Sequence, residues 1–140
     1  AEREADPAAH LKGPEMYRCA FGEPSRKPVI LQRTYRIARH NVPGALALMP
    51  ELQGIVSDTP VMAVLPTVAS AMDEMLIAYY FDSVEHFGSQ LDDVAMSPAF
   101  QQLVTKTSIY GELTTSRLLV AIDLQQRGRN ELRNNQQVEK

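Results

Sequence analysis

Two arginines, two tyrosines and one histidine are the residues of this sequence best suited to hold and activate a small organic acid. Arg33 and Tyr35 stand two positions apart in VILQRTYRIA (29–38), and His40 follows that segment. Tyr79 lies in EMLIAYYF (74–81), and Arg117 falls in the last apolar run before position 123. A guanidinium stays charged and can hold a carboxylate or phenolate. A tyrosine hydroxyl can donate to a developing oxyanion, and an imidazole titrating near neutrality can take up a proton. Together they suit binding an acidic, enolisable or phenolic molecule: Arg33, Tyr35 and Arg117 as binding groups, His40 and Tyr79 as catalytic ones. The alternative is that both tyrosines are core aromatics and that Arg33 pairs with Glu74 or Glu112. Other chemistries have little support. His10, His40 and His86 lack metal-ligand spacing, no HExxH or CxxC occurs, and no metal site is expected. There is no glycine-rich phosphate loop and no GxSxG. Cys19, without a nearby histidine or helix start, is expected to be inert. Asp92 and Asp93 diverge on a helix and are expected to be solvated, as is His86. Arg33, Arg36, Arg39 and His40 are basic, but the first two fall on opposite strand faces and make no single phosphate-binding stripe.

The elements that position these residues are legible from periodicity. Val29 to Ala38 alternates, with Leu31, Arg33, Tyr35 and Ile37 on one face and Ile30, Gln32, Thr34 and Arg36 on the other. A helix follows, capped by Asn41 with Pro43 in its first turn. Its buried face is Val42, Ala45, Met49, Leu52 and Val56, and Pro50 is expected to split it. Val61 to Val68 is the second strand, whose Pro66 suits a sheet edge or a bulge. Glu74 to Phe81 is the third. Asp82 and Glu85 resemble a capping box, with Val84, Phe87 and Leu91 as the buried face of the next helix. Ser97 and Pro98 restart that helix, with Phe100, Leu103 and Val104 turned inward. Leu113 to Ile122 is the last strand. The order is βαββαβ, an α+β, ferredoxin-like fold with an antiparallel sheet.

In that order the first and third strands are neighbours, so Tyr35 and Tyr79 can approach within a pocket between sheet and helices. With the faces reversed, Gln32, Thr34, Arg36 and Tyr80 line it instead. Helices cover only one sheet face. The other carries Ile30, Leu76, Ala78 and Tyr80, enough apolar area to predict a homodimer through it.

The chain has 140 residues and is read as one domain. Residues 1–28 are a Pro-rich extension with one strand-like stretch, MYRCAF. Residues 29–123 are the folded domain, and 124–140 a polar tail. A net charge of −3 argues against a partner held mainly by phosphate contacts, so no nucleic acid is expected. No apolar run approaches a membrane span and AEREADPAAH lacks the core of a signal peptide, so no membrane association is expected. A single cysteine allows no intrachain disulfide and fits the cytoplasm.

The broken helix at Ser97-Pro98, the SPAF segment (97–100) and the polar turn into an apolar last strand resemble the dimeric α/β-barrel superfamily. That group includes antibiotic-biosynthesis monooxygenases, stress-responsive barrel proteins, small polyketide cyclases and muconolactone isomerases. Monooxygenase-type members oxidise phenolic or anthrone-like polyketides with O₂ and no metal or prosthetic group, the deprotonated substrate supplying the electron. The resemblance therefore implies no cofactor and a small aromatic or polyketide-like substrate, with Arg33, Tyr35, Tyr79 and His40 in the binding and proton-transfer roles. Two departures are plain. Several such members use a pocket tryptophan, and this chain has none. Plant-type cyclases carry a histidine two positions after the proline of a related segment, where this chain has Phe100. The expected function is natural-product tailoring by metal-free oxygenation, ahead of cyclisation or isomerisation. A non-catalytic ligand-binding or assembly subunit is the alternative from another class.

Overall fold

A computed structural model describes residues 13–122. Five strands form one antiparallel sheet: β1 (Met16–Phe21), β2 (Val29–Ile37), β3 (Val61–Val68), β4 (Glu74–Phe81) and β5 (Gly111–Val120). Their spatial order is β1-β3-β4-β2-β5. The last four strands keep the ferredoxin-like order, and the fold is α+β as the periodicity implies. The first crossover holds a 3₁₀ turn (Arg39–Asn41) and two short helices, α1 (Val42–Ala47) and α2 (Met49–Val56). The second holds α3 (Val84–Gln90), a π-helical turn (Leu91–Ala95) and α4 (Pro98–Thr107).

Local chemistry accounts for the breaks. Pro50 has no N–H to offer Leu46, so α1 ends at Ala47 and α2 starts afresh with the proline in its first turn. Ser97 caps α4, its Oγ accepting from the Phe100 N–H at 3.3 Å, with Pro98 next. At α3 the cap is Ser83 rather than Asp82: Ser83 Oγ accepts from His86 N–H at 3.0 Å. Asp82 lies one residue too early to reach that donor and pairs instead with Lys27 at 3.3 Å.

The core lies between the sheet and the helices. Leu31, Ile37, Met75 and Ile77 from β2 and β4 meet Met49, Leu52, Val56 and Leu103 from the helices, all buried. Each buried aliphatic chain of this kind contributes about 1.5–3 kcal/mol.

Several local expectations are corrected. β3 is not a sheet edge, because β1 pairs along it. Its Pro66 lies opposite Tyr17, past the last pairing of β3 with β4 at Val64 and Leu76, where no ladder bond to β4 is required. Tyr80 is already buried within the single chain, 5% exposed with its hydroxyl towards Met62 Sδ at 3.9 Å. Ile30, Leu76 and Ala78 on the same face are half-buried. Val84, Leu91 and Val104 are exposed rather than buried, which leaves Phe87 as the anchor of α3. The π turn that begins at Leu91 breaks the 3.6-residue phase on which the expected stripe rested. His86 is half-buried, its ring edge-on to Phe81 with centroids 5.6 Å apart. The described part of the N-terminal segment contributes β1 to the sheet. Residues 1–12, including His10, and residues 123–140, which include the expected polar tail 124–140, lie outside the described residues.

Two glycines predict opposite outcomes. Gly22 has φ +74° after β1, and a Cβ there would overlap the Val61 carbonyl. Gly22→Ala is expected to cost about 1–3 kcal/mol from backbone conformation alone. Gly54 lies inside α2 with open space around it, so Gly54→Ala is expected to stabilise by about 0.4–1 kcal/mol. Urea midpoints shifting in opposite directions would check the pair.

Candidate functional site

Residues facing each other across β2 and β4 share a face, and Leu31 faces Tyr79, Arg33 faces Ile77 and Tyr35 faces Met75. The buried partners put that face against the helices, so Arg33, Tyr35 and Tyr79 come together there. Gln32, Thr34, Arg36 and Tyr80 take the opposite face, and the reversed reading of the strands is set aside.

A cavity partly open to solvent lies over this trio, with Met49, Leu52, Phe100 and Tyr110 among its walls. A second lobe extends towards α3 and the π turn, bordered by Thr59, Phe87, Gln90 and Val94. Arg33, Tyr79 and Phe100 line both lobes.

Among the described residues, Arg33 is the one cation lining the site, and it has no carboxylate partner. Ion pairs among the described residues join Lys27 to Asp82, His86 to Asp82 and Lys106 to Glu51. The Arg33 Nε donates only a long hydrogen bond, 3.4 Å, to Ser116 Oγ. Strand register explains this: Glu74 and Glu112 both stand opposite Arg36 and therefore share its face, away from the cavity. The alternative pairing of Arg33 with either glutamate is thereby excluded.

Burial pushes the Tyr35 hydroxyl above its ordinary pKa, while Arg33 opposes the shift through its charge and a hydrogen bond. Tyr79, only 6% exposed, is pushed up much further by burial, with the neighbouring Tyr35 adding to the shift and Arg33 opposing it. At neutral pH both phenols are uncharged hydrogen-bond donors rather than bases. Thr59 is 1% exposed and its hydroxyl has no partner. Such an orphan costs about 1–3 kcal/mol.

Two expected site residues are not brought here. His40 is exposed in the 3₁₀ turn and lines neither lobe, because β2 ends at Ile37 and the chain turns away from the cavity. Arg117 stands opposite Gln32, on the face away from the helices. The cause is a bulge. Tyr35 pairs with Leu113 but Thr34 pairs with Thr115, so Thr114 is the extra residue, its Oγ1 donating to the Thr34 carbonyl at 3.0 Å. One inserted residue flips every later side chain, and Ser116 rather than Arg117 reaches Arg33. Thr59, Gln90, Tyr110 and Ser116 went unread in the sequence. Only Tyr110, an aromatic just before the last strand, carries a local signal. Among the described residues no group of three or more His, Cys, Asp or Glu side chains is placed to hold a metal ion. No helix there is long and apolar enough to cross a membrane.

No protein-family model matches the sequence, and no curated protein matches it. Solved structures do. An uncharacterized NIPSNAP domain protein from Burkholderia xenovorans matches with a TM-score of 0.59 at 22% identity, over 69% of this chain and 96% of that one. A heme-degrading enzyme from Listeria monocytogenes matches with a TM-score of 0.51 at 17% identity, over 80% of this chain and 74% of the other. A ferredoxin-fold protein from Listeria monocytogenes 4b F2365, related to antibiotic biosynthesis monooxygenases, matches with a TM-score of 0.50 at 13% identity, covering 81% and 69%. At these identities the likeness establishes the fold. These neighbours share the ferredoxin-like fold expected from the sequence.

The raised Tyr79 pKa sets a pH dependence. The unfolded chain loses this proton near the ordinary value of 10.0 while the folded one keeps it. The folded state therefore holds more protons above pH 10.0, and stability falls as pH rises from there towards the folded pKa. Urea unfolding should show the stability of wild type relative to Tyr79→Phe constant below pH 10.0 and declining above it.

Proposed function

We propose that the protein is a small natural-product tailoring enzyme that binds an aromatic, polyketide-like molecule carrying one acidic phenol or enol in this cavity and oxygenates it. The observation that carries the reading is Arg33, an unpaired guanidinium among apolar side chains. A charge so placed is costly unless an anion joins it. A substrate anion beside Arg33 is favoured over its neutral form, which lowers the substrate's own pKa. The neutral hydroxyls of Tyr35 and Tyr79 can donate to the same oxygen.

No His, Asp or Glu lines either lobe. The substrate therefore arrives as its anion, or yields its proton to water at the mouth while Arg33 holds the product. The anion then donates electrons to O₂. For an activated methylene the balance is CH₂ + O₂ → C=O + H₂O: two C–H bonds break, the carbon is oxidised by four electrons, and one oxygen atom leaves as water. Cyclisation and isomerisation need a base at the reacting carbon, and the cavity supplies none. The same absence favours, as a second reading, binding of the acid without turnover. A second copy of the chain is placed on the open sheet face, where Ile30, Leu76 and Ala78 keep part of their apolar surface exposed.

1,8-Dihydroxyanthrone tests the reaction. Oxygen uptake should accompany conversion to the anthraquinone, and binding without uptake would select the second reading. Arg33→Met keeps the stem's packing and removes the charge. It is expected to weaken the affinity of an organic acid such as 1-hydroxy-2-naphthoate by about 1.5–3 kcal/mol, read by calorimetry. Unchanged affinity would remove Arg33 from the site.

A further inference from the structure

The second lobe holds a polar group that the protein itself does not use. Thr59 is almost wholly buried, and its Oγ1 makes no hydrogen bond. Both of its backbone groups are committed. Its N–H donates to the Val56 carbonyl at 3.1 Å, and its carbonyl accepts from Gln53 Nε2 at 2.8 Å. Gln53 Oε1 in turn accepts from the Val61 N–H at 3.0 Å, tying the exit of α2 to β3. The residue is thus pinned from both sides, and the hydroxyl alone is left over.

A second, independent feature converges on the same space. The π turn runs beside the lobe, and its Leu91, Val94 and Ala95 line it. Such turns are rare and concentrate where function offsets their poorer backbone geometry. The remaining surround is apolar apart from Gln90, with Leu31, Phe81 and Phe87, while Tyr79 and Arg33 form the border with the first lobe.

We infer that this lobe is a subsite for an aromatic ring bearing a hydroxyl or carbonyl, and that the Thr59 hydroxyl is its hydrogen-bond partner and specificity-determining group. The inference deepens the proposed function and rests on it for joint occupancy. With the acidic head beside Arg33, the ligand continues past Tyr79 and Phe100, so that a second ring carries its polar substituent to Thr59. The substrate class is then a fused aromatic with an acidic group at one end and a hydroxyl or carbonyl at the other. A mono-acid with a plain hydrocarbon end leaves Thr59 unsatisfied and is discriminated against.

Phenol and toluene, nearly identical in shape and both neutral, test the subsite on the full chain without an anionic group to pair with Arg33. Each is titrated while the methyl resonances of Leu31, Val56 and Val94 are followed by NMR. In wild type both shift these methyls. In Thr59→Val the phenol affinity should fall about tenfold, the loss of one buried hydrogen bond, with toluene essentially unchanged. Thr59→Ser keeps a hydroxyl and should retain the phenol affinity, which also covers the case of a poorly folded valine variant. An unchanged phenol-to-toluene ratio in Thr59→Val would show the hydroxyl satisfied by a resident water and overturn the assignment. Absence of shifts at these methyls with either probe would overturn the subsite itself. Failure of the anion reading looks different: Arg33→Met leaves organic-acid affinity unaltered while the phenol-to-toluene result stands.

Discussion

The antiparallel register of β2 against β4 is the constraint on which the rest of the molecule depends. Eight consecutive pairs run from Val29 opposite Phe81 to Arg36 opposite Glu74, without a bulge. Because side chains alternate, that one register decides which groups face the helices and which do not. It buries Leu31, Ile37, Met75 and Ile77 together, and it carries Arg33, Tyr35 and Tyr79 into the same layer. A slip of one residue would turn the core outward and leave the cavity without its cation.

The electrostatics of the cavity follow from the same parity. Arg33 and Arg36 are three positions apart and so take opposite faces. The glutamates on both neighbouring strands stand opposite Arg36, which leaves Arg33 with only neutral partners, Tyr35 and the Ser116 Oγ to which it donates at 3.4 Å. An uncompensated cation in an apolar setting is a cost that the fold carries for the benefit of something it binds. Burial keeps the two tyrosines protonated, so the site offers one positive charge and neutral donors. It lacks a group that accepts a proton. That combination recognises and stabilises an anion, and it leaves bond-making to the reactivity of the bound molecule.

The two ends of the sheet differ in how they are finished. β1, six residues of the N-terminal segment, extends the sheet beyond β3 and is the edge strand on that side. β5 remains an outer strand, with Leu113, Leu118, Leu119 and Val120 substantially exposed. Its bulge at Thr114 puts Ser116, in place of the arginine beside it, against the Arg33 Nε. In the second crossover the π turn lies along the second lobe, with Leu91, Val94 and Ala95 among its walls.

Alternation and 3.6-residue spacing were enough to read the βαββαβ order, the split at Pro50, the restart at Ser97-Pro98 and the shared face of Arg33, Tyr35 and Tyr79. Those are local properties: a strand's parity and a helix's stripe are written in neighbouring residues. Four outcomes were settled only in the tertiary structure. These were the bulge that turned Arg117 away, the turn that left His40 outside, the strand that covered β3, and the buried Thr59 hydroxyl. Only the covering strand has a local signal, the strand-like MYRCAF, and even that does not say which strand it pairs with. A bulge is defined against the partner strand, exposure against the whole fold, and an unsatisfied hydroxyl against every group that could have reached it. The sequence by itself thus determined which chemical groups share a strand face. Packing decided which of them meet in a cavity, because only there do distance, burial and the absence of a partner acquire meaning.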